Sequence, residues 1–317
     1  MAALTRFWEK LRVAKSTRHI QAEFDAAEMS GDFEQCFSIY NRIAPLFSAD
    51  EVSTPRIQSR LWVHLNNRMA EILQTRCVPA QQILLYYEEA LRHCTVNTDP
   101  QMWATIHINI GDVYISSGSY EAAVRYLHKA LGAVTQRDFP IEWALAHSFL
   151  CAAYLDWNDG PIRDENLRRA TQHGEQALRV ITRQKAPSEW AKIQVNLGTT
   201  YSQLMDSASA LKAYQSALQV LDSYRDADEW TRAQLYIGHL YRRQFDTAID
   251  KAERESHYAD ASRHYKLAQT VIETRQDLVA SRNVMHPLGM LQFDYGAWQE
   301  AVETLRLAIQ ANSIPMR

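Results

Sequence analysis

An all-α fold, about seven antiparallel helix pairs stacked as one solenoid over residues 1–317, is what this sequence predicts. Three observations lead there. The chain holds only 10 Gly and 9 Pro, few for a β-rich protein that needs many tight turns. Ala, Leu, Gln, Glu and Arg fill the segments between them, as helices prefer. Four stretches also open alike: Asp99-Pro-Gln-Met-Trp103-Ala, Phe139-Pro-Ile-Glu-Trp143-Ala, Ala186-Pro-Ser-Glu-Trp190-Ala and Asp226-Ala-Asp-Glu-Trp230-Thr. Their tryptophans lie 40, 47 and 40 residues apart, a period in the range of helical-pair repeats.

The first 18 residues are read as a basic amphipathic helix. Leu4, Phe7, Trp8 and Leu11 share one face, and Arg6, Lys10, Arg12, Lys15 and Arg18 outnumber Glu9. Such a helix can cap the end of the array, dock to a partner, or lie on an acidic membrane, with capping the leading expectation and membrane contact the least. Residues 19–98 are read as degenerate repeats. Gly31-Asp32-Phe33-Glu34 supplies a turn and Phe37, Tyr40 and Ile43 a helical face. Leu61, Leu65, Met69 and Ile72 then mark one apolar-periodic helix, and Ile83, Tyr87 and Leu91 the next. Residues 48–55 form a polar loop between them.

From residue 99 to 317 the repeats are clear. After each Trp comes a helical pattern ending in an aromatic, as in Ile110-Gly111 with Tyr114, Leu197-Gly198 with Tyr201, and Ile237-Gly238 with Tyr241. A second helix follows, set by Ala123, Leu127 and Ala130, by Ala210, Tyr214 and Ala217, or by Ala261, Tyr265 and Ala268. Gly inside a helix costs about 1 kcal/mol relative to Ala, so its recurrence needs a reason. Close approach of the partner helix is that reason. Proline three residues before Trp in three units suits helix entry.

With these positions in view, the chain resembles the tetratricopeptide repeat family, whose pattern runs aromatic, Leu-Gly, Tyr, Ala, aromatic, Ala and Pro over about 34 residues. Residues 195–218 match it well and 100–131 similarly. The last unit matches at Gly289, Ala301, Leu305 and Ala308, but has Gln292 where Tyr is expected. The resemblance implies a right-handed superhelical solenoid that binds a partner peptide or helix along the first helices of its pairs. The Pro-x-Glu-Trp-Ala opening and the stretch Arg163-Asp-Glu-Asn-Leu167 are further similar to bacterial repeats found beside caspase-like CHAT protease domains.

Composition narrows the function. With 46% hydrophobic residues the chain can bury a core, and a formal charge of −3 does not suit a general nucleic-acid binder. Cys36, Cys77, Cys94 and Cys151 form no CxxC pair, which argues against a zinc site or redox dithiol. The start MAALTRFWEKLRVAKS lacks an uncharged apolar core, and no apolar run of about 18 residues occurs, so a soluble cytoplasmic protein is expected. No phosphate loop, GxSxG elbow or HExxH helix is present. His257 and His264 share a helical face without a third ligand, and are read as solvated or satisfied side chains. No cofactor or metal is implied.

The reading is therefore a non-catalytic interaction scaffold or regulatory subunit, with a protein or peptide partner and homo-oligomerisation through end helices compatible with it. Asn109 and Asn196, each two residues before a helix Gly, can bond a peptide backbone, since an amide both donates and accepts. Lys192, Arg232, Arg242, Arg243 and Arg282 would line a cationic lane for an acidic segment, with Arg offering forked hydrogen bonds. Pairing with neighbouring carboxylates is the plainer alternative for these cations. Val195 and Ile108 stand where a chaperone-tail clamp would need Lys. The rival function is an enzyme or metal-dependent protein with its site in segments 155–166 and 242–256, which hold Asp156, Asp159, Asp164 and Glu165.

Overall fold

A computed structural model describes residues 17–46, 56–76, 78–157, 162–275 and 278–312. The described residues are helical, with no strand among them. The chain divides into two compact units, residues 1–149 and 150–317. Phe7, Trp8, Leu11, Cys77 and Asp159 lie outside the described residues.

In the first unit, α1 (residues 17–29) and α2 (Phe33–Ile43) form one pair, followed by a short 3₁₀ turn, Ala44–Leu46. Next come α3 (Arg56–Thr75) with α4 (Ala80–His93), and α5 (Pro100–Ser116) with α6 (Tyr120–Ala133). Helix α7 (Pro140–Asp156) contains the division between the units. The second unit continues with α8 (Arg163–Leu178) and the pairs α9 (Pro187–Gln203) with α10 (Ser207–Leu218), α11 (Ala227–Thr247) with α12 (Lys251–Arg275), and α13 (Leu278–Tyr295) with α14 (Trp298–Asn312). That makes fourteen helices among the described residues, in keeping with the about seven pairs that the sequence predicts.

Local chemistry explains where helices start. Asp32, Asp99 and Asp206 each accept a hydrogen bond from the backbone N–H three residues on, satisfying a donor that the first turn leaves unpaired. Pro100, Pro140 and Pro187 occupy first helical positions, where no backbone donor is lost. Helix α8 begins at Arg163, with Asp164 and Glu165 in its first turn, where negative charge is favourable. Segment 242–256 lengthens α11 and α12 on either side of a short break, as its lack of Gly and Pro predicts.

Five of the first helices turn one stripe inward, Trp62/Leu65/Met69/Ile72, Trp103/Ile106/Ile110/Val113, Trp143/Ala146/Leu150/Ala153, Trp190/Ile193/Leu197/Thr200 and Trp230/Ala233/Ile237/Leu240, buried throughout except that Trp103, Trp143, Trp190 and Trp230 are half-buried. The spacing i, i+3, i+7, i+10 keeps these side chains on one helical face. Full burial of an aliphatic side chain such as Leu65 or Ile106 contributes roughly 1.5–3 kcal/mol. Trp62, 41 residues before Trp103 and buried, makes a fifth Trp-led unit beyond the four read from the openings. The helix glycines let the second helix press in. A Cβ on Gly198 would lie 2.7 Å from Cε1 of Tyr214, and one on Gly238 2.6 Å from Cε1 of Tyr265.

Candidate functional site

The first helices of successive pairs also present polar side chains, and neighbouring helices link them. In the first unit, Arg68 on α3 bonds Glu28 on α1 (Nε–Oε2 3.0 Å) and pairs with Glu71. Both Nδ2 hydrogens of Asn109 are committed, one to Asn67 Oδ1 at 3.1 Å and one to Glu71 Oε1 at 2.9 Å. Gln74 donates to Asp112 on α5, and His64 meets Asp25 on α1. Asp25, Glu28, Glu71 and Asp112 make this row acidic, with Arg68 as its fixed cation. Sequence reading missed the row because it followed only the basic residues and the Asn.

The second unit has the opposite character. Arg232 on α11 donates through Nη2 to Asn196 Oδ1 on α9 at 3.1 Å. Arg163 donates to Gln203 at the end of α9. Arg243 donates to Ser207 Oγ at 2.6 Å and to the Ser202 carbonyl at 3.4 Å. Among the described residues, none of these three arginines forms an ion pair within 4.0 Å, and Nε of Arg163 and of Arg232 is buried without a hydrogen-bond partner. Asp156 at the end of α7 lies in the field of Arg232. Burial raises its carboxyl above the ordinary range, and the Arg232 guanidinium works against that rise.

The continuous cationic lane expected from sequence is broken. Arg242 pairs with Asp294 on α13 and with Asp246, so its charge is neutralised within the chain. Lys192 bonds Glu189 at 2.9 Å. Burial acts to lower its pKa, but the bond to Glu189 and the charges of Glu189, Glu229 and Asp226 raise it overall. Arg282 sits apart on α13, beside a groove that also contains His286. What remains is a shorter strip along α9 and α11, with Arg232 at one end and Arg243 eleven residues on. Three helical turns separate them, roughly 16 Å.

The other candidates resolve simply. Val195 and Ile108 are buried core residues, so no clamp forms at their positions. His264 donates from Nδ1 to the buried Gln234 Oε1 at 2.6 Å and stacks on Tyr241. Burial, with a lesser push from Arg263, lowers its pKa to about 4, so it is neutral at pH 7. His257 lies against the same Tyr241 ring. Among the described residues no three His, Cys, Asp or Glu side chains gather as metal ligands. No helix there is long and apolar enough to cross a membrane.

Residues 104–133, one helix pair, match the tetratricopeptide repeat family model. Solved structures extend the likeness to nearly the whole chain. Apo RapI aligns with TM-score 0.60 at 14% identity, covering 94% of this chain and 98% of that one. The apo quorum sensor NprR from B. thuringiensis aligns at 0.60 and 13% identity, over 96% of this chain and 78% of that one. The fold is that of a tetratricopeptide-repeat solenoid. A Rap protein complexed with competence and sporulation factor aligns at 0.59 and 14% identity, covering 95% and 77% of the two chains. No curated protein matches in sequence.

Proposed function

We propose that this solenoid is a non-catalytic interaction scaffold whose second unit holds an acidic segment of a partner protein along the α9–α11 strip. The observation that carries the reading is the state of Arg163, Arg232 and Arg243. Their hydrogen bonds go to amides, a hydroxyl and a carbonyl and none to a carboxylate, and two of them keep a buried Nε with no partner. A guanidinium removed from water gains most from a charged acceptor, and a forked carboxylate supplies one. A strip of roughly 16 Å accommodates about five extended residues. Asn196 then offers its remaining amide hydrogens to the backbone of the bound segment. The structural neighbours are consistent with capture of a partner, since one of them is a Rap protein complexed with competence and sporulation factor.

The test is affinity purification from the source organism with the wild-type protein and with Asn196→Ala/Arg232→Glu, each followed by mass spectrometry. The expected result is a partner retained by wild type and lost by the double variant, with helicity and melting preserved. Salt should weaken the retained complex, because the attraction is ionic. Equal retention by both proteins would remove the strip as the binding surface.

A further inference from the structure

Helix α13 departs from the other first helices at the residue that opens the inward stripe. Trp103, Trp190 and Trp230 stand eight residues before Gly111, Gly198 and Gly238, and the same step back from Gly289 reaches Ser281. In earlier pairs that indole packs near the end of the preceding second helix. Trp103 shares a core with Cys94, and Trp230 shares one with Leu221. Cys94 and Leu221 each follow the buried Tyr of their helix by seven residues, and Ile272 follows Tyr265 by the same step. Among the described residues no Trp joins the core that holds Ile272 and Val284. A cavity of about 160 Å³ opens beside these two residues, between α11, α12 and α13.

Its walls are of two kinds. Leu235, Ile272 and Val284 are apolar, whereas Thr231, Arg232 and Asn283 bring hydrogen-bond donors. Asp228 also lines the cavity, and its charge is met by Arg275 in the same lining. Arg232 bonds the neutral Asn196 and forms no ion pair among the described residues, so it sets the sign of the site. An apolar cavity of about 150 Å³ holds benzene, so the volume here suits one six-membered ring or an aliphatic body of like size.

We infer that this cavity is a binding site for a small carboxylate with an apolar body. The body lies against Leu235, Ile272 and Val284, and the carboxylate meets Arg232. A guanidinium matches a carboxylate with forked hydrogen bonds, and Thr231 and Asn283 add donors beside it. A free organic acid carries such a group, and so does the C-terminal residue of a chain. The site goes beyond the α9–α11 strip and shares only Arg232 with it. Ser281 and the apolar walls lie outside that strip, so the two can be tested apart.

Phenylacetate is the probe, titrated against the full 317-residue protein and followed by saturation-transfer NMR. A ligand this small is expected to bind with Kd of roughly 1 mM. Phenylacetamide, equal in shape but uncharged, should bind roughly tenfold more weakly. Arg232→Gln should bring phenylacetate down to the affinity of the amide. Ser281→Trp returns an indole to the register of the other units and should abolish binding of both, without lowering the melting temperature. Leu235→Phe, at a half-buried wall position, narrows the cavity and gives the same readout if Ser281→Trp unfolds. Acetylglycyl-phenylalanine, whose free carboxylate ends a chain, separates the two sources. Tighter binding of the dipeptide assigns the site to a chain terminus, tighter binding of phenylacetate assigns it to a free acid, and either result supports the site. Absence of saturable binding, equal affinity for acid and amide, or binding indifferent to both cavity-filling variants overturns it.

Discussion

Replacing Gly198 by Ala tests whether the helix glycines exist for close packing. Propensity alone favours the change by about 1 kcal/mol, because Ala is the better helix former. Packing opposes it. The new methyl would lie 2.7 Å from Cε1, 2.8 Å from Cδ1 and 3.0 Å from Cζ of Tyr214. That ring cannot swing aside, since Tyr214 is fully buried and its hydroxyl bonds Thr199 Oγ1 at 3.0 Å. Overpacking of this kind costs typically 1–3 kcal/mol, and three contacts at or below 3.0 Å place it at the upper end. The net expectation is a loss of about 1–2 kcal/mol. Gly132 in α6 is the control, for a Cβ there meets nothing within 4 Å and the helix gains up to about 1 kcal/mol. Urea unfolding followed by far-ultraviolet circular dichroism should therefore move the two midpoints in opposite directions. A Gly198→Ala protein more stable than wild type would refute the packing explanation.

Other outcomes follow from the same coordinates. Met205, at φ 66° and exposed, stands in the α9–α10 turn where the aligned turns have Gly118 and Gly296 at positive φ, so Met205→Gly should raise stability by about 1 kcal/mol in thermal melts. Trp62→Ala should cost roughly 3–5 kcal/mol by urea titration, since the indole is buried, stacks on Tyr40 and donates to Glu89 at 3.0 Å. His264 has a folded pKa of about 4 against an ordinary 6.5, so the unfolded chain takes up its proton first. Its contribution is whole above pH 6.5 and fades as pH falls toward 4, by roughly 1–3 kcal/mol. His264→Gln should flatten that part of the stability–pH curve. Mg²⁺, Ca²⁺ and Zn²⁺ should leave the melting temperature unchanged, and a cation-specific rise would revive a site in segment 155–166.

Reading depth differed by kind of feature. Helix pairs, helix starts and the small-residue contacts were legible, because a 3.6-residue period, a capping Asp or a Pro before Trp is a local property of the chain. Trp62 escaped as a repeat opening because its unit lacks the Pro and puts Ala70 where three of the four later units have Gly. The basic strip was legible only in part. Lys192, Arg242 and Arg232 look alike in sequence, yet the first two meet carboxylates and the third meets Asn196.

The sequence by itself determined that this chain is a helical repeat and which face of each helix is buried, since both depend on spacing along one helix. Tertiary structure decided which polar groups stay available. Arg242 is neutralised by Asp294, 52 residues away, and both amide hydrogens of Asn109 are taken by a helix some 40 residues earlier. Charge pairing and burial are relations between segments, and only the packed chain sets them.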